Sequence, residues 1–194
     1  MNKQVAGIVL AAGGSSRFGS PKQLLPWKDT TILNSVVRTA IASGLEPVIV
    51  VLGAHAAQIA SSLAEECVIV ENEVWQQGQS SSLRIGLEQV PEDVSGVLIL
   101  LGDQPQVNPI FCESIVRKGL ESGKITIPYV NDRRGNPVYF PKYTFERLGQ
   151  VEGDRGGRAI VGEFPVELLP WLDDRMAMDI DTPEDYEALK SCYG

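Results

Sequence analysis

Short apolar runs alternate with amphipathic stretches along the first two thirds of this chain. Few polar side chains interrupt the apolar runs, which is typical of strands that are buried on both faces of a sheet. They predict strands at residues 5–10, 47–52, 68–70, 97–101 and 125–128.

The stretches between these runs repeat apolar residues at helical spacing. In the first of them Ile32, Val36, Val37 and Ala40 fall on one face, and Gly44 follows as a stop signal. At the start of another such stretch, Asn108 is typical of a helix cap and Pro109 of the first helical position. Helices are predicted at residues 32–43, 56–64, 80–90 (with serines available as caps at its start) and 109 to about 120.

The pattern changes beyond residue 129. A polar turn at 131–140 leads into a short strand, and residues 153–158 predict a charged, glycine-rich loop. Thr182 and Pro183 are typical of the cap and first turn of a final helix. Two further strands are predicted at residues 166–169 and 176–180.

Strand–helix–strand repetition of this kind predicts an α/β fold with a mostly parallel sheet and helices on both faces, in three layers. No linker, repeat or low-complexity segment divides residues 1–194, which predicts a single domain. Right-handed crossovers place functional loops at the carboxyl ends of parallel strands. The loops that follow residues 5–10 and 97–101 should therefore lie at the same edge.

Composition narrows the function classes. Hydrophobic residues make up 43% and charged residues 22% of the 194 positions, as in ordinary folded proteins, and the net charge is −8. This acidic balance argues against nucleic-acid binding, although a local basic loop can still attract a small anionic substrate.

Targeting and redox signals predict a cytoplasmic protein. Cys67, Cys112 and Cys192 are scattered and odd in number, which indicates reduced thiols and no zinc site. The N-terminus resembles a strand and not a signal peptide, and no apolar run approaches the ~20 residues that cross a bilayer, so no membrane association is expected.

The strongest chemical signal is the segment 10–22, LAAGGSSRFGSPK, which we call the glycine-rich loop. Its small residues let backbone N–H groups approach phosphate oxygens, and Arg17 and Lys22 add positive charge that can neutralise a triphosphate. Its spacing matches neither the Walker nor the dinucleotide-binding pattern. The alternative is a flexible connection with two solvated cations.

Acidic residues could complete a metal site at this edge. Asp103 follows the apolar run 97–101, where a carboxylate can hold Mg²⁺ together with water and phosphate. Asp179 and Asp181 would lie on one face at a strand end and could join it. The alternatives are a turn cap for Asp103, and a position that simply precedes the Thr182 cap for one or both of Asp179 and Asp181.

Three further constellations carry polar chemistry. Gly78 and Ser80, Ser81 and Ser82 stand at a helix start, where they could bind a base or phosphate, although one serine suffices for capping. Two cationic loops could hold a second anionic substrate, or be solvated surface; they carry Arg134, Asn136, Arg155 and Arg158. The lone histidine, His55, has no catalytic motif beside it, so we interpret it as structural or peripheral.

These motifs together resemble the MobA-like NTP transferase family. L-A-A-G-x-S-x-R-F-G-x-x-K, G-D-Q-P, R-G-N-P-V, G-D-x-G-x-R and D-x-D-T-P-E-D follow one another in the family's order over nearly the whole chain. Within the family the chain is most similar to the molybdenum cofactor cytidylyltransferases. A small departure is Phe18, where methionine is common; it is apolar and should not disturb phosphate binding.

The resemblance implies a Rossmann-like nucleotidyltransferase fold and Mg²⁺-dependent transfer of CMP from CTP to molybdopterin. It implies a nucleotide-binding part at about residues 1–105 and an acceptor-binding part at about 106–194. Asp103 and Asp181 match metal ligands, with Asp179 the less certain partner, and Ala12 replaces the glycine of guanylyl-transferring relatives, so CTP is favoured over GTP. Arg17, Lys22 and Asp103 match catalytic residues; the implied nucleotide-binding residues are Leu10, Ala11, Ala12, Gly13, Gly14, Arg17, Lys22, Gly78, Ser80, Ser81 and Ser82.

Two other functions stay open on the sequence. One is nucleotidyl transfer to another phosphorylated acceptor, such as a sugar or polyol phosphate. The other is a non-catalytic chaperone that hands a cofactor to a molybdoenzyme. The resemblance also implies two possible protein partners, a molybdoenzyme or its maturation chaperone. Intact Lys22, Asp103 and Asp181 argue against lost catalysis.

Overall fold

A single eight-stranded sheet forms the centre of the molecule in the computed structural model, which describes residues 4–193. The strands are β1 (Val5–Ala11), β4 (Val48–Leu52), β5 (Val68–Glu71), β6 (Gly96–Leu101), β7 (Ile125–Val130), β8 (Arg133–Arg134), β9 (Val138–Pro141) and β10 (Val166–Pro170). A small separate hairpin pairs β2 (Pro26–Trp27) with β3 (Thr30–Thr31). The helices are α1 (Ile32–Ala42), α2 (Ala56–Ala60), α3 (Gln79–Leu87), α4 (Pro109–Ser122), α5 (Phe145–Gly149) and α6 (Pro183–Ser191).

The sheet is mostly parallel, as the strand–helix repetition predicts. Its order is β10-β7-β9-β6-β1-β4-β5, with β8 paired to β7. The pairs β6–β1, β1–β4, β4–β5 and β10–β7 are parallel, whereas β9 runs antiparallel to both of its neighbours. The predicted α/β class is therefore confirmed, with one reversed strand between its two parallel parts.

Alternating side chains of the central strands build a core on each face of the sheet. In β1, Val5 and Val9 join one apolar cluster, whereas Ala6 and Ile8 join the other. The first cluster includes residues of α1, α2 and α4, and the second includes residues of α3 and α5. Period-two alternation in strands with no polar face produces the three layers that the sequence predicts.

The predicted helix starts are confirmed at three caps. The Thr31 hydroxyl accepts from the Asn34 amide at α1, and the Asn108 side chain accepts from the Phe111 amide at α4. Thr182 begins α6 with a reciprocal capping box to Asp185. Each cap satisfies amide groups that the first helical turn leaves without an internal partner.

Two predicted helices differ from the structure at their ends. The helix predicted at 80–90 runs from Gln79 to Leu87 with Gly78 as its N-cap, so no serine caps it. The helix predicted at 56–64 ends at Ala60, and the following backbone closes in turns instead.

The strand predicted at residues 176–180 is wrong. A 3-10 helix, Asp174–Ala177, begins there because the Asp173 carboxylate accepts from the Arg175 amide, and an irregular segment follows. The apolar residues that suggested a strand pack in different clusters. Met176 belongs to the first core cluster, and Ile180 packs in a separate cluster with the C-terminal helix.

The glycine-rich stretch predicted as a loop at 153–158 is mostly 3-10 helical. It belongs to a segment, Gly153–Glu163, whose one non-helical residue is Gly156 at φ 50°. Ile160 and Val161 bury this segment against the second core cluster, which explains why a polar, glycine-rich sequence is ordered. Among residues 4–193, no helix is both long and apolar enough to span a membrane.

Candidate active site

The glycine-rich loop and Asp103 lie side by side at one edge of the sheet. Parallel pairing places Leu10 of β1 opposite Leu101 of β6, and the Gly102 amide donates to the Leu10 carbonyl at 2.9 Å. A Cβ at position 102 would lie 2.8 Å from the Ala11 Cβ. Because only glycine permits this approach, Asp103 emerges directly beside the loop.

The Lys22 ammonium joins the loop to two distant acidic segments. Its Nζ lies 2.7 Å from the Asp103 Oδ2, and 3.7 Å from the Asp181 Oδ1. It also donates to the Ile180 carbonyl at 2.5 Å. The Lys22 side chain is 14% exposed, against 25% for Asp103 and 61% for Asp181. The three charges therefore meet at the mouth of a cleft, with the lysine the most deeply placed.

Arg17 stands at the open side of this cluster. Its guanidinium approaches the Asp181 carboxylate at 3.9 Å, and both side chains are more than 60% exposed. An exposed ion pair at this distance contributes little to stability. The guanidinium can therefore leave Asp181 to meet an incoming anion at small cost.

Two buried glutamines hold the segment that carries Asp181. The Gln104 amide donates to the Asp179 Oδ1 at 2.7 Å, and the Gln106 amide donates to the Met178 carbonyl at 2.6 Å. Asp179 and Asp181 therefore have different partners, because Asp179 accepts a hydrogen bond from Gln104 whereas Asp181 faces Lys22. Desolvation raises the pKa of the Asp179 carboxyl, the bond from Gln104 opposes this rise, and the charges of Asp103 and Asp181 add to it.

A cavity of about 470 Å³ opens above the glycine-rich loop. The loop and Lys22 form one wall, and Trp75 with the start of α3 forms another. Its lining from the loop includes Leu10, Ala11, Ala12, Gly13, Ser15, Ser16, Arg17, Phe18 and Lys22; from the opposite wall it includes Trp75, Gln76, Gly78, Gln79 and Ser82.

A second cavity of about 730 Å³ lies on the other side of the acidic cluster. Its floor is apolar, and four residues predicted to bind an acceptor stand around it. The floor includes Ile99, Ile127, Val138, Phe140 and Val161; the polar residues are Arg134, Asn136, Arg155 and Arg158.

The two cavities share part of their walls. Six residues line both of them: Leu10, Gln79, Leu101, Asp103, Asp154 and Asp181. A ligand in either cavity would therefore lie beside Asp103 and Asp181, whereas Lys22 lines the first of the two cavities only. Two adjoining cavities of this kind are the arrangement that a transfer between two bound molecules requires.

The donor set at this junction fits a divalent metal that is partly held by substrate. Asp103 and Asp181 point at one cationic group, the Lys22 ammonium, and both are oxygen ligands. Mg²⁺ is commonly bound by one or two carboxylates plus phosphate oxygens and water. Within residues 4–193 no group of three or more His, Cys, Asp or Glu could hold a metal alone, so phosphates would have to supply further ligands.

The MobA-like NTP transferase domain matches residues 7–168 of the chain. The chain belongs to this family. Curated relatives that span most of it include nicotine blue oxidoreductase of Paenarthrobacter nicotinovorans, 29% identical over 93% of each chain. The purine catabolism protein PucB of Bacillus subtilis is 29% identical over 95% of each. The molybdenum cofactor cytidylyltransferase of Escherichia coli is 26% identical and covers 96% of this chain and 95% of its own.

Two solved structures superpose closely on this chain. The crystal structure of Rv0371c from Mycobacterium tuberculosis superposes with a TM-score of 0.88 at 33% identity, covering 98% of this chain and 100% of that one. The same protein in complex with manganese gives a TM-score of 0.82 at 32% identity, over 98% of this chain and 100% of that one. Together with the match to the NTP transferase domain, these superpositions confirm the Rossmann-like nucleotidyltransferase fold that the resemblance implies.

The two adjacent glycines of the MobA-like motif have different surroundings. A Cβ on Gly13 would meet no heavy atom within 4 Å, and Gly13 lines the first cavity. A Cβ on Gly14 would lie 3.0 Å from the Trp75 ring. The first glycine thus leaves room beside the cavity, whereas the second leaves room for an indole.

The three serines of α3 also separate in the structure. The Asn72 amide donates to the hydroxyls of Ser81 and Ser82 at 2.8 and 2.9 Å, which ties α3 to the end of β5. Ser82 lines the first cavity, and the buried Ser80 hydroxyl has no hydrogen-bond partner among the described residues. Gly78 lines the same cavity at φ 104°, where a Cβ would lie 2.5 Å from the Asp154 carboxylate.

Several residues at this site cannot be recognised from the sequence. Trp75 follows a polar stretch and carries no recognisable motif, while Gln23, Gln104 and Gln106 have a residue type that is usually solvated. All three glutamines are only 3% exposed. The sequence offers one indication of them: Gln23 directly follows Lys22, and Gln104 directly follows Asp103.

Gly53→Ala should destabilise the wall that holds Trp75. The new Cβ would lie 2.7 Å from the Trp75 Cβ and 2.8 Å from the Ala12 carbonyl oxygen, so backbone must shift. Overpacking of this kind costs about 1–3 kcal/mol. Chemical denaturation measures it, with Gly149→Ala as the control, since a Cβ there meets nothing within 4 Å. Equal stability of the two variants would contradict the expected clash.

Proposed function

We propose that this protein is a Mg²⁺-dependent nucleotidyltransferase that transfers CMP from CTP to molybdopterin and releases pyrophosphate. The observation that carries the proposal is the pair of cavities that share Asp103 and Asp181, with Lys22 paired to both carboxylates from the first cavity. The first cavity adjoins the glycine-rich loop and suits the nucleotide, and the second adjoins the arginines and suits a phosphorylated acceptor.

The division of the chain follows this arrangement. Residues 1–105 supply the loop, Trp75 and the start of α3, and we assign nucleotide binding to them. Residues 106–194 supply the arginines of the second cavity, and we assign acceptor binding to them. Asp154 and Asp181 belong to the second part and line both cavities, so the two parts share the point of reaction.

The reaction needs little covalent chemistry from the protein. An oxygen of the acceptor phosphate attacks the α-phosphorus of CTP, a new phosphorus–oxygen bond forms, and the bond to the pyrophosphate oxygen breaks. The acceptor phosphate is already ionised at neutral pH, so no general base is required. The chain has one histidine, His55, which lies outside both cavities.

Catalysis in this proposal is positioning and charge neutralisation. Asp103 and Asp181 are the residues that would hold Mg²⁺, which supplies positive charge against the charge that develops on the phosphates. Lys22 and Arg17 supply two further positive charges at the same point.

The second cavity supports an acceptor with an apolar body and an anionic end. Its floor of branched and aromatic side chains suits a flat ring system, and Arg134, Arg155 and Arg158 suit a phosphate. These properties fit molybdopterin. The same arginines would also bind a sugar or polyol phosphate, which is the second candidate acceptor.

CTP is expected to support pyrophosphate release about 10- to 100-fold better than GTP with molybdopterin as the acceptor. The expectation rests on Ala12, which is buried, lines the first cavity and carries a methyl group where guanylyl-transferring relatives carry glycine. The measurement is pyrophosphate release with Mg²⁺ and each nucleotide in parallel, followed by identification of the nucleotide released from the product.

The same assay separates the alternatives. Pyrophosphate release with a sugar or polyol phosphate but not with molybdopterin would replace the acceptor. Binding of molybdopterin without pyrophosphate release under any condition would indicate a chaperone for a molybdoenzyme.

A biosynthetic role of the proposed kind places the protein in the cytoplasm, in agreement with its unpaired cysteines.

A further inference from the structure

We propose that Gln23 is a positioning residue that holds the glycine-rich loop in the shape that binds a polyphosphate. This inference rests on the proposed function, because it concerns the loop that would bind the triphosphate. Gln23 directly follows Lys22 and is 3% exposed, and its side chain lies at the base of the first cavity.

Every polar group of the Gln23 side chain is used on the loop. Its Nε2 donates to the carbonyl oxygens of Ala11 and Gly13, both at 3.0 Å. Its Oε1 accepts from the Ser15 hydroxyl at 3.2 Å. A side-chain amide offers two N–H donors and one carbonyl, so a single residue ties together three positions of the loop.

The two carbonyls matter because of their charge. A carbonyl oxygen carries partial negative charge and would repel a polyphosphate, so a phosphate-binding loop must turn its carbonyls elsewhere. The bonds from Gln23 hold the Ala11 and Gly13 carbonyls toward the amide. Since each peptide unit is planar and trans, the N–H groups of Ala12 and Gly14 then point away from Gln23.

A hydroxyl bridge extends this control to the catalytic lysine. The Ser15 hydroxyl donates to Gln23 and accepts from the Lys22 backbone amide at 3.1 Å. Ser15 has φ 50°, in the left-handed region that residues other than glycine seldom adopt, and its two hydroxyl contacts stabilise that conformation. Gln23 therefore helps to set the point from which Lys22 reaches Asp103.

A residue elsewhere in the chain offers a matched comparison. Asn34 is also 3% exposed, and its amide donates to the Thr31 hydroxyl and the Ser62 carbonyl, both at 2.9 Å. Its Oδ1 accepts from the Ala64 amide at 3.0 Å. Asn34 lines neither cavity. It thus has the hydrogen bonds and burial of Gln23 without the contact with the loop.

The test compares Gln23→Met with Asn34→Leu, because each replacement keeps the approximate size and removes the amide. Inorganic tripolyphosphate with Mg²⁺ is the probe, measured by titration calorimetry, and thermal unfolding is followed in parallel. Both variants should lose stability. Only Gln23→Met should bind tripolyphosphate more weakly, by about tenfold or more, and in turnover it should raise KM for the nucleotide more than it lowers kcat.

Outcomes of this test separate the inference from the proposed function. Equal tripolyphosphate affinity of the wild-type protein and Gln23→Met would overturn the role of Gln23 and leave the proposed function standing. No binding by the wild-type protein would overturn both. If Gln23→Met does not fold, Gln23→Asn serves instead, since it keeps a neutral amide but is one methylene too short to hold all three loop contacts; unchanged affinity in that variant would equally overturn the inference.

Discussion

Replacement of Lys22 by alanine is expected to lower kcat/KM for nucleotidyl transfer by about 10²- to 10³-fold. The Lys22 ammonium lines the first cavity, 2.7 Å from Asp103, where the proposed reaction would develop negative charge as pyrophosphate leaves. One well-placed group of this kind contributes about 3–4 kcal/mol to transition-state stabilisation. Steady-state pyrophosphate release measures the loss.

The same substitution also removes the cation that separates two carboxylates. Asp103 and Asp181 both face Lys22, so the variant leaves them without this neutralising charge. Binding of the nucleotide should therefore weaken together with turnover. Lys22→Arg keeps the charge but presents a broader planar group, and we expect it to recover only part of the activity.

Lys124→Ala is the matched control for this loss. Lys124 pairs with Glu167 at 3.4 Å on the surface, where Lys118 also contacts that carboxylate. It lines neither cavity, so its removal should leave turnover unchanged. Turnover by Lys22→Ala within a few-fold of the control would refute the role assigned to the ammonium.

Replacement of Asp103 by alanine should abolish turnover while the fold stays intact. Asp103 lines both cavities, as Asp154 and Asp181 do, and it lies nearer to the Lys22 ammonium than Asp181 does. Its side chain is 25% exposed, so its loss opens no sealed core cavity. Loss of a metal ligand and of a lysine partner in one step should reduce kcat by at least about 10³-fold.

Metal titration distinguishes these two contributions of Asp103. Asp103→Asn keeps the shape and a neutral oxygen but removes the charge, so its Mg²⁺ requirement should shift to higher concentration. Asp173→Asn is the control, because Asp173 pairs with Arg175 away from both cavities. If the Mg²⁺ dependence of Asp103→Asn equals that of the wild-type protein, and Asp103→Ala turns over at a near wild-type rate, Asp103 is not a metal ligand.

Local patterns predicted most of the central sheet and its helices. The runs at 47–52 and 97–101 form buried strands because every side chain in them is apolar and both sheet faces are covered. Caps at Thr31, Asn108 and Thr182 begin helices because each side chain satisfies an amide a few residues away. Such signals depend on near neighbours and so can be interpreted from sequence.

Local pattern failed where apolar residues pack outside the sheet. Met176 and Ile180 imitate a strand, yet one anchors in the main core and the other in the C-terminal cluster. Residues 153–158 look like a charged loop, yet they belong to the 3-10 segment Gly153–Glu163, which Ile160 and Val161 bury. In both cases the partner is remote in sequence, so periodicity carries no information about it.

The sequence by itself determined the fold class and the edge of the sheet at which the candidate site residues lie, because the glycine-rich loop and Asp103 each follow a buried parallel strand. Only the tertiary structure decided how that edge is assembled. Lys22 contacts Asp103 and Ile180 across 81 and 158 positions, and Gln104 contacts Asp179 across 75. Contacts over such separations depend on the folded path of the whole chain, and this path turns Asp181, and not Asp179, toward Lys22.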